Sequence, residues 1–245
     1  MTPRMIFCVT AGRTGTTLLA RLFSLIPGVH AVHEPRPDFA QVMRAVQQNP
    51  QRAHKFLTSR KIPAIAAIDE PVYVETSHLF CKGFFEPMLE LHPDISIIVL
   101  ERSAHEIAYS LLSRGTVPAR TPLGRTYLLQ PDDPGVLPIG GWEDRLTDYQ
   151  LCYWYALEIE RRQAEALKLC EARGVKHFRI QTNDLAQFDQ FSAMCAALNI
   201  PLPEEEQFRQ RFEATAGKKH NRNPSYLDLD EDFERQGQVV QDLIA

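Results

Sequence analysis

The chain has 245 residues, 44% of them hydrophobic, and a formal charge of −4. It is long enough to bury a sizeable core as one domain, and its acidic balance argues against a protein that holds nucleic acid by a basic excess. Its five cysteines (Cys8, Cys81, Cys152, Cys170, Cys195) are scattered, odd in number and free of C-x-x-C pairs, which suggests neither a disulfide framework nor a zinc site.

In chain order, Met5-Ile6-Phe7-Cys8-Val9 is an apolar strand that runs into Thr10-Ala11-Gly12-Arg13-Thr14-Gly15-Thr16-Thr17 and then a helix to about Leu25. A strand, Gly-rich turn and helix aims backbone N–H groups and the positive end of a helix dipole at one point, which binds phosphate or sulfate. A loop for ATP and magnesium places lysine directly after its second Gly. Here Thr16 follows Gly15, Thr10 stands at the first Gly, and the cation, Arg13, sits inside the turn. Val29-His30-Ala31-Val32 is a short second strand, and 38–60 is a polar helix interrupted at Asn49-Pro50. Val72-Tyr73-Val74-Glu75 is another strand, followed by a helix over 83–91. Ile95-Ser96-Ile97-Ile98-Val99-Leu100 is a continuous apolar run, the pattern of a buried parallel strand. Glu101-Arg102 closes it and a helix follows over 103–113.

From Gly115 to Gly141 there are five Pro, five Gly and no helical period, which predicts a functional loop. Trp142 to about Arg173 restores helix, with Leu146, Tyr149, Tyr153, Leu157, Ala164 and Leu167 at helical spacing and Gly174 as the stop. Val175–Ile180 is the last strand, followed by Thr182-Asn183-Asp184-Leu185. Gly217-Lys218-Lys219-His220-Asn221-Arg222 is basic within an otherwise acidic tail. Alternating strands and helices predict an α/β fold: one domain over 1–245, a central parallel sheet of four or five strands flanked by helices, and a C-terminal loop and tail over 217–245.

Arg13-Thr14-Gly15-Thr16-Thr17 resembles the 5′-phosphosulfate loop of the sulfotransferases that use 3′-phosphoadenosine 5′-phosphosulfate (PAPS) as donor. Family loops read roughly P-[KR]-[ST]-G-[ST]-[ST], and Gly12 stands where Pro is common. Arg102 at a strand end, with Ser110 eight residues on, resembles the family's 3′-phosphate motif. A guanidinium fork suits a doubly charged phosphate, and the serine adds a neutral donor. The layout is closest to bacterial and protein-tyrosine sulfotransferases. The resemblance implies a P-loop-like three-layer fold and transfer of a sulfuryl group from PAPS to a hydroxyl or amine, without a metal. The acceptor would be a glycan, lipid, peptide or small molecule, covered by the 115–141 loop. It assigns the 5′-phosphate to Gly12, Arg13, Thr14, Gly15, Thr16 and Thr17, with Arg13 facing the charge on the leaving oxygen. Arg102 and Ser110 take the 3′-phosphate, and Lys218, Lys219 and Arg222 resemble a C-terminal loop that closes over it. Two positions depart from the family: Thr182 replaces an aromatic that helps hold adenine, and Leu18 replaces a tryptophan. Golgi members carry an anchor; here the N-terminal apolar stretch is too short for a signal segment and no run reaches transmembrane length, so a cytoplasmic enzyme is expected.

Two residues compete as base for the acceptor. Glu34, in Val32-His33-Glu34-Pro35, stands 21 positions beyond Arg13, where protein-tyrosine, trehalose and glycosaminoglycan sulfotransferases place a Glu. His78, in Glu75-Thr76-Ser77-His78-Leu79, resembles the Lys-x-His histidine of the cytosolic phenol and steroid enzymes, with Thr76 at the Lys position. Glu34 is favoured, and His33 and Glu75 rank third and fourth. The bland alternative for Glu34 is a carboxylate paired with Arg36. A nucleotide-dependent phosphotransferase and a non-catalytic nucleotide-binding module are the rival functions.

Overall fold

The computed structural model describes residues 2–204, 206–218 and 232–245. Among these, five strands form one sheet: β1 (Arg4–Val9), β2 (Val29–Val32), β3 (Val72–Glu75), β4 (Ser96–Glu101) and β5 (His177–Gln181). Their order is β2-β3-β1-β4-β5, and every neighbouring pair is parallel. Parallel neighbours require crossovers, which helices supply, so the α/β architecture with a central parallel sheet holds as expected.

Two compact units make up the chain, one over positions 1–101 and 163–222, the other over 102–162 and 223–245. The first contains the sheet. Successive residues of a strand point to opposite faces, and both faces are covered. On one, Ile6, Cys8, Val74, Ile98, Leu100 and Ile180 pack with Leu19, Leu22 and Phe23 of the helix Thr16–Phe23 and with Phe191 and Met194 of the helix Phe188–Ala197. On the other, Phe7 stacks on Phe80 at 4.5 Å, and Phe39 lies 4.6 Å from Phe84. Beyond the last ladder bonds of β1 and β4, side chains take over the carbonyls. Gln163 Nε2 donates to Leu100 O (2.8 Å) and Val9 O (3.2 Å), and Thr10 Oγ1 donates to Leu100 O (2.7 Å). These bonds hold the carboxyl ends of the central strands, where open α/β sheets bind ligands. The helical region after β2 runs further than the expected 38–60: Ala40–Gln48, Gln51–Phe56, a π-helical turn at Leu57–Lys61, then Ile62–Ala66.

In the second unit the segment 115–141 is packed rather than an open loop. It contains a short helix, Pro122–Tyr127, started by Thr121, whose hydroxyl accepts from Gly124 N. Glu158, fully buried, accepts from Leu137 N (3.0 Å), from Arg161 and from Arg162. Trp154 Nε1 donates to Leu137 O at 3.1 Å. The two bonds to Leu137 span 21 and 17 positions, beyond local range, so local composition shows neither of them. The expected helix 142–173 is two helices, Trp142–Arg145 and Asp148–Arg173. Thr147 and Gln150 start the second as a reciprocal capping box: Thr147 N donates to Gln150 Oε1 (2.9 Å) and Gln150 N to Thr147 Oγ1 (3.2 Å). Thr147→Ala is expected to cost about 1 kcal/mol and to lower Tm by roughly 2–4 °C, read by thermal melting.

Within the expected tail Phe233–Ile244 is a helix, while 219–231 lie outside the described residues. Asp232 caps it by accepting from Arg235 N at 3.0 Å. At Gly237 an added Cβ would stand 2.6 Å from His105 Cε1 and 3.1 Å from Tyr153 Cζ, so only glycine permits this approach. Gln241 Nε2 donates to Tyr153 Oη (2.8 Å), and the Phe233 ring lies 4.2 Å from Tyr149. Its buried positions are few and one is a glycine, which hides the helix from a periodicity search. Among the described residues no helix is long and apolar enough to cross a membrane.

Candidate functional site

The loop between β1 and the helix Thr16–Phe23 is built from inside. Thr14 turns its side chain into the protein: it is fully buried, donates to Ala11 O (2.9 Å) and lies 2.6 Å from Thr10 Oγ1. Only its backbone is left to meet a ligand. Thr182 Oγ1 is within bonding distance of Thr14 O (2.8 Å) and Glu101 O (2.9 Å), and Thr76 Oγ1 donates to Thr16 O (2.9 Å). Thr182 is thus a brace beneath the loop. Gly15 has φ +87°, and a Cβ there would stand 3.2 Å from Leu185 Cδ1. No side chain caps the helix that Gly15 opens, so its leading amides and dipole stay available to an anion.

Above the loop lies a cavity of about 180 Å³, lined by Gly12, Arg13, Gly15, Thr16, Thr17, His33, Glu34 and His78. It is smaller than the ~300–1,000 Å³ of sites that enclose a whole ligand, and fits a reacting head group. A larger cavity of about 930 Å³ runs along the helices Gln51–Phe56 and Phe85–Leu91 and contains none of the expected site residues. Two cavity residues are held in the left-handed region: Arg13 at φ +75° and Glu34 at φ +49°. For a side-chain-bearing residue this conformation costs roughly 1–2 kcal/mol, and such strain clusters at functional sites. Only two other described non-glycine residues, Ala119 and Asn199, share it, so the coincidence at one cavity singles that cavity out.

Glu34 and His78, the competing candidates, meet. Glu34 Oε1 lies 3.3 Å from His78 Nε2, so the carboxylate pairs with this histidine rather than with Arg36. On the other side of the ring, Lys82 Nζ lies 3.0 Å from His78 Nδ1. Lys82 is fully buried. Burial above all, then the Lys82, His33 and Arg13 charges, hold the His78 pKa well below its usual 6.5, which favours the neutral ring. His33 Nδ1 donates to Thr76 O at 2.8 Å. The ring of His78 packs on Gly12, where a Cβ would be 3.5 Å from Nδ1.

Glu75 does not line the cavity. It is fully buried beneath it, accepting from Lys61 Nζ (2.9 and 3.0 Å) and Tyr73 Oη (2.6 Å). Burial raises its pKa against the pull of Lys61. Lys61 and Lys82 were both missed in sequence. Lys82 stands four residues after His78, but the intervening segment is turn rather than helix, so spacing alone gave no reason to pair them.

In the second unit, Arg102 Nη2 lies 3.2 Å from Glu106 Oε1. Ser110, half-buried in the helix Ala104–Leu112, follows one turn after Glu106, and Arg102 precedes that helix. Lys218 is exposed, whereas Lys219 and Arg222 lie outside the described residues. Among the described residues no group of three or more His, Cys, Asp or Glu is placed to hold a metal ion.

No protein-family model matches the chain, and no curated protein matches it. Among solved structures it is similar to the sulfotransferase domain from the curacin biosynthetic pathway, at 15% identity and TM-score 0.55 over 98% of this chain and 96% of that one. It is similar to the sulfotransferase domain of a Synechococcus olefin synthase, at 13% identity and TM-score 0.50 over 98% and 94%. A sulfotransferase from Mycobacterium tuberculosis aligns at 14% identity and TM-score 0.50 over 100% of this chain and 77% of that one. At such identities the likeness is one of fold.

Proposed function

We propose that this chain, which has a sulfotransferase-type fold, is an enzyme that moves the sulfuryl group of PAPS to an acceptor hydroxyl, with Glu34 as the base. The observation that carries this reading is the single cavity where an anion-binding loop, Arg13, Glu34 and His78 meet, with backbone strain at the first two side chains.

Glu34 takes the proton of the acceptor O–H as its oxygen attacks sulfur in line. The bond from sulfur to the 5′-phosphate oxygen breaks, and that oxygen keeps the electron pair. Arg13 and the loop amides, with Thr16 and Thr17, meet the growing charge on it. An interaction that strengthens as the bond breaks lowers the barrier rather than merely tightening binding. The product is 3′-phosphoadenosine 5′-phosphate, and the chemistry needs no metal. Arg102 and Ser110 are assigned to the 3′-phosphate, and Lys218, Lys219 and Arg222 to closing over it. The acceptor is a glycan, lipid, peptide or small molecule covered by the 115–141 segment, and the enzyme works in the cytoplasm.

Calorimetric titration with 3′-phosphoadenosine 5′-phosphate, ADP and ATP–magnesium tests the donor assignment. Micromolar binding of the bisphosphate, with ADP weaker by about tenfold or more, is expected. Equal or tighter binding of ATP–magnesium would move the protein to the phosphotransferases. Arg102→Ala is expected to weaken bisphosphate binding by roughly ten- to a hundredfold, the ~1.5–3 kcal/mol of a charged hydrogen bond. Wild-type affinity in that variant would remove Arg102 from the site.

A further inference from the structure

We propose that Lys82 is a positioning residue: it fixes His78 as the neutral ring protonated at Nε2, so that the N–H of His78 faces Glu34 and leaves Glu34 as the group that accepts the proton. The proposal rests on the reading of Glu34 as base and adds a residue to it that no motif contains.

The geometry determines each direction in turn. An ammonium has three N–H donors and no acceptor. Lys82 Nζ, 3.0 Å from His78 Nδ1, therefore requires a lone pair on that nitrogen. A neutral imidazole carries one proton, which must then be on Nε2. Nε2 lies 3.3 Å from Glu34 Oε1, and a carboxylate accepts. An imidazolium would oppose an N–H to the ammonium, and the other groups that face the ring, Arg13 and His33, give it no counter-charge. Among the described residues that bear on the ring, Glu34 is the acid.

Lys82 is held where it can do this. Its carbonyl accepts from Gln47 Nε2 at 2.8 Å. The next residue, Gly83, has φ +95°, and a Cβ there would stand 2.7 Å from Val46 Cγ1. The turn is thus fastened to the helix Ala40–Gln48, and the side chain reaches the ring from beneath, wholly out of solvent. A flexible surface lysine could not impose a tautomer, whereas a buried one with fixed backbone can. His33 differs: its Nδ1 donates to Thr76 O.

Imidazole ¹⁵N spectra of the full chain, labelled at histidine and compared with His78→Asn for assignment, test this without any turnover. The expected wild-type signal is an Nε2-protonated ring that takes up a second proton only well below the usual imidazole range. In Lys82→Met one of the charges that lowers the His78 pKa is gone, so the ring takes up its proton at higher pH than in wild type. The resulting imidazolium pairs with Glu34 and withdraws the base, so the acid limb of kcat also moves to higher pH. Lys82→Arg, which keeps a donor beside Nδ1, is expected to stay closer to wild type on both readouts. An Nδ1-protonated ring in wild type, or an unchanged His78 signal in Lys82→Met, overturns the proposal. The wild-type spectrum decides even if Lys82→Met fails to fold. A correct tautomer without sulfuryl transfer would overturn only the functional reading, and transfer with the opposite tautomer only this one.

Discussion

Glu34→Gln is expected to lower kcat by roughly 10²–10⁴, the range for a positioned base, while bisphosphate affinity stays within about threefold of wild type. The substitution keeps size, an oxygen that can face His78 and the backbone position of Glu34, and removes the charge and with it the ability to take a proton. Stability should therefore change little, and lost turnover can be assigned to chemistry. The measurement is single-turnover transfer of labelled sulfuryl from PAPS to the best acceptor of a screen. Turnover near wild type in Glu34→Gln, with none in His78→Gln, would give the role to His78 and discard the assignment made here.

Arg13 yields the second large effect, and it separates function from folding. Arg13→Ala and Arg13→Gly both remove the guanidinium, and each is expected to lose roughly 10²–10³ in kcat, as when one donor to a developing oxyanion is deleted. The two should differ in stability. Arg13 holds φ +75°, a conformation that alanine also resists and glycine does not. Arg13→Gly should thus be more stable than Arg13→Ala by about 1 kcal/mol. Urea unfolding of both variants checks this. Equal stability would mean that the loop relaxes when the side chain is cut, so that the conformation belongs to Arg13 and not to the turn. A protein that keeps a strained residue whose removal stabilises the chain retains it for its side chain.

Much of the first unit was legible because its signals are local. Short apolar runs with turn residues at their ends marked the five strands, and 5-to-9 followed by a Gly-Thr turn marked the loop. The second short strand came out at Val29–Val32 and the third at Val72–Glu75, as their patterns indicate. What sequence left undecided was every relation carried by side chains far apart along the chain. Thr182 braces Thr14 across 168 positions. Glu158 holds Leu137, and Lys61, on a π-helical turn, neutralises Glu75. None of these pairs has a period or a motif.

The choice between Glu34 and His78 illustrates the same division. Each residue carried its own resemblance, and the two excluded one another only while they were thought to be apart. By itself the sequence determined an α/β fold, a loop that suits phosphate or sulfate, and a short roster of candidate side chains, because periodicity and turn chemistry act over a few residues. Only the tertiary structure decided that Glu34 and His78 lie 3.3 Å apart, that Lys82 stands behind the ring, and that Thr14 and Thr182 face inward to hold the loop. The physical reason is that hydrogen bonding and burial depend on distance in space, and a parallel sheet brings the ends of strands that are remote in sequence to one edge.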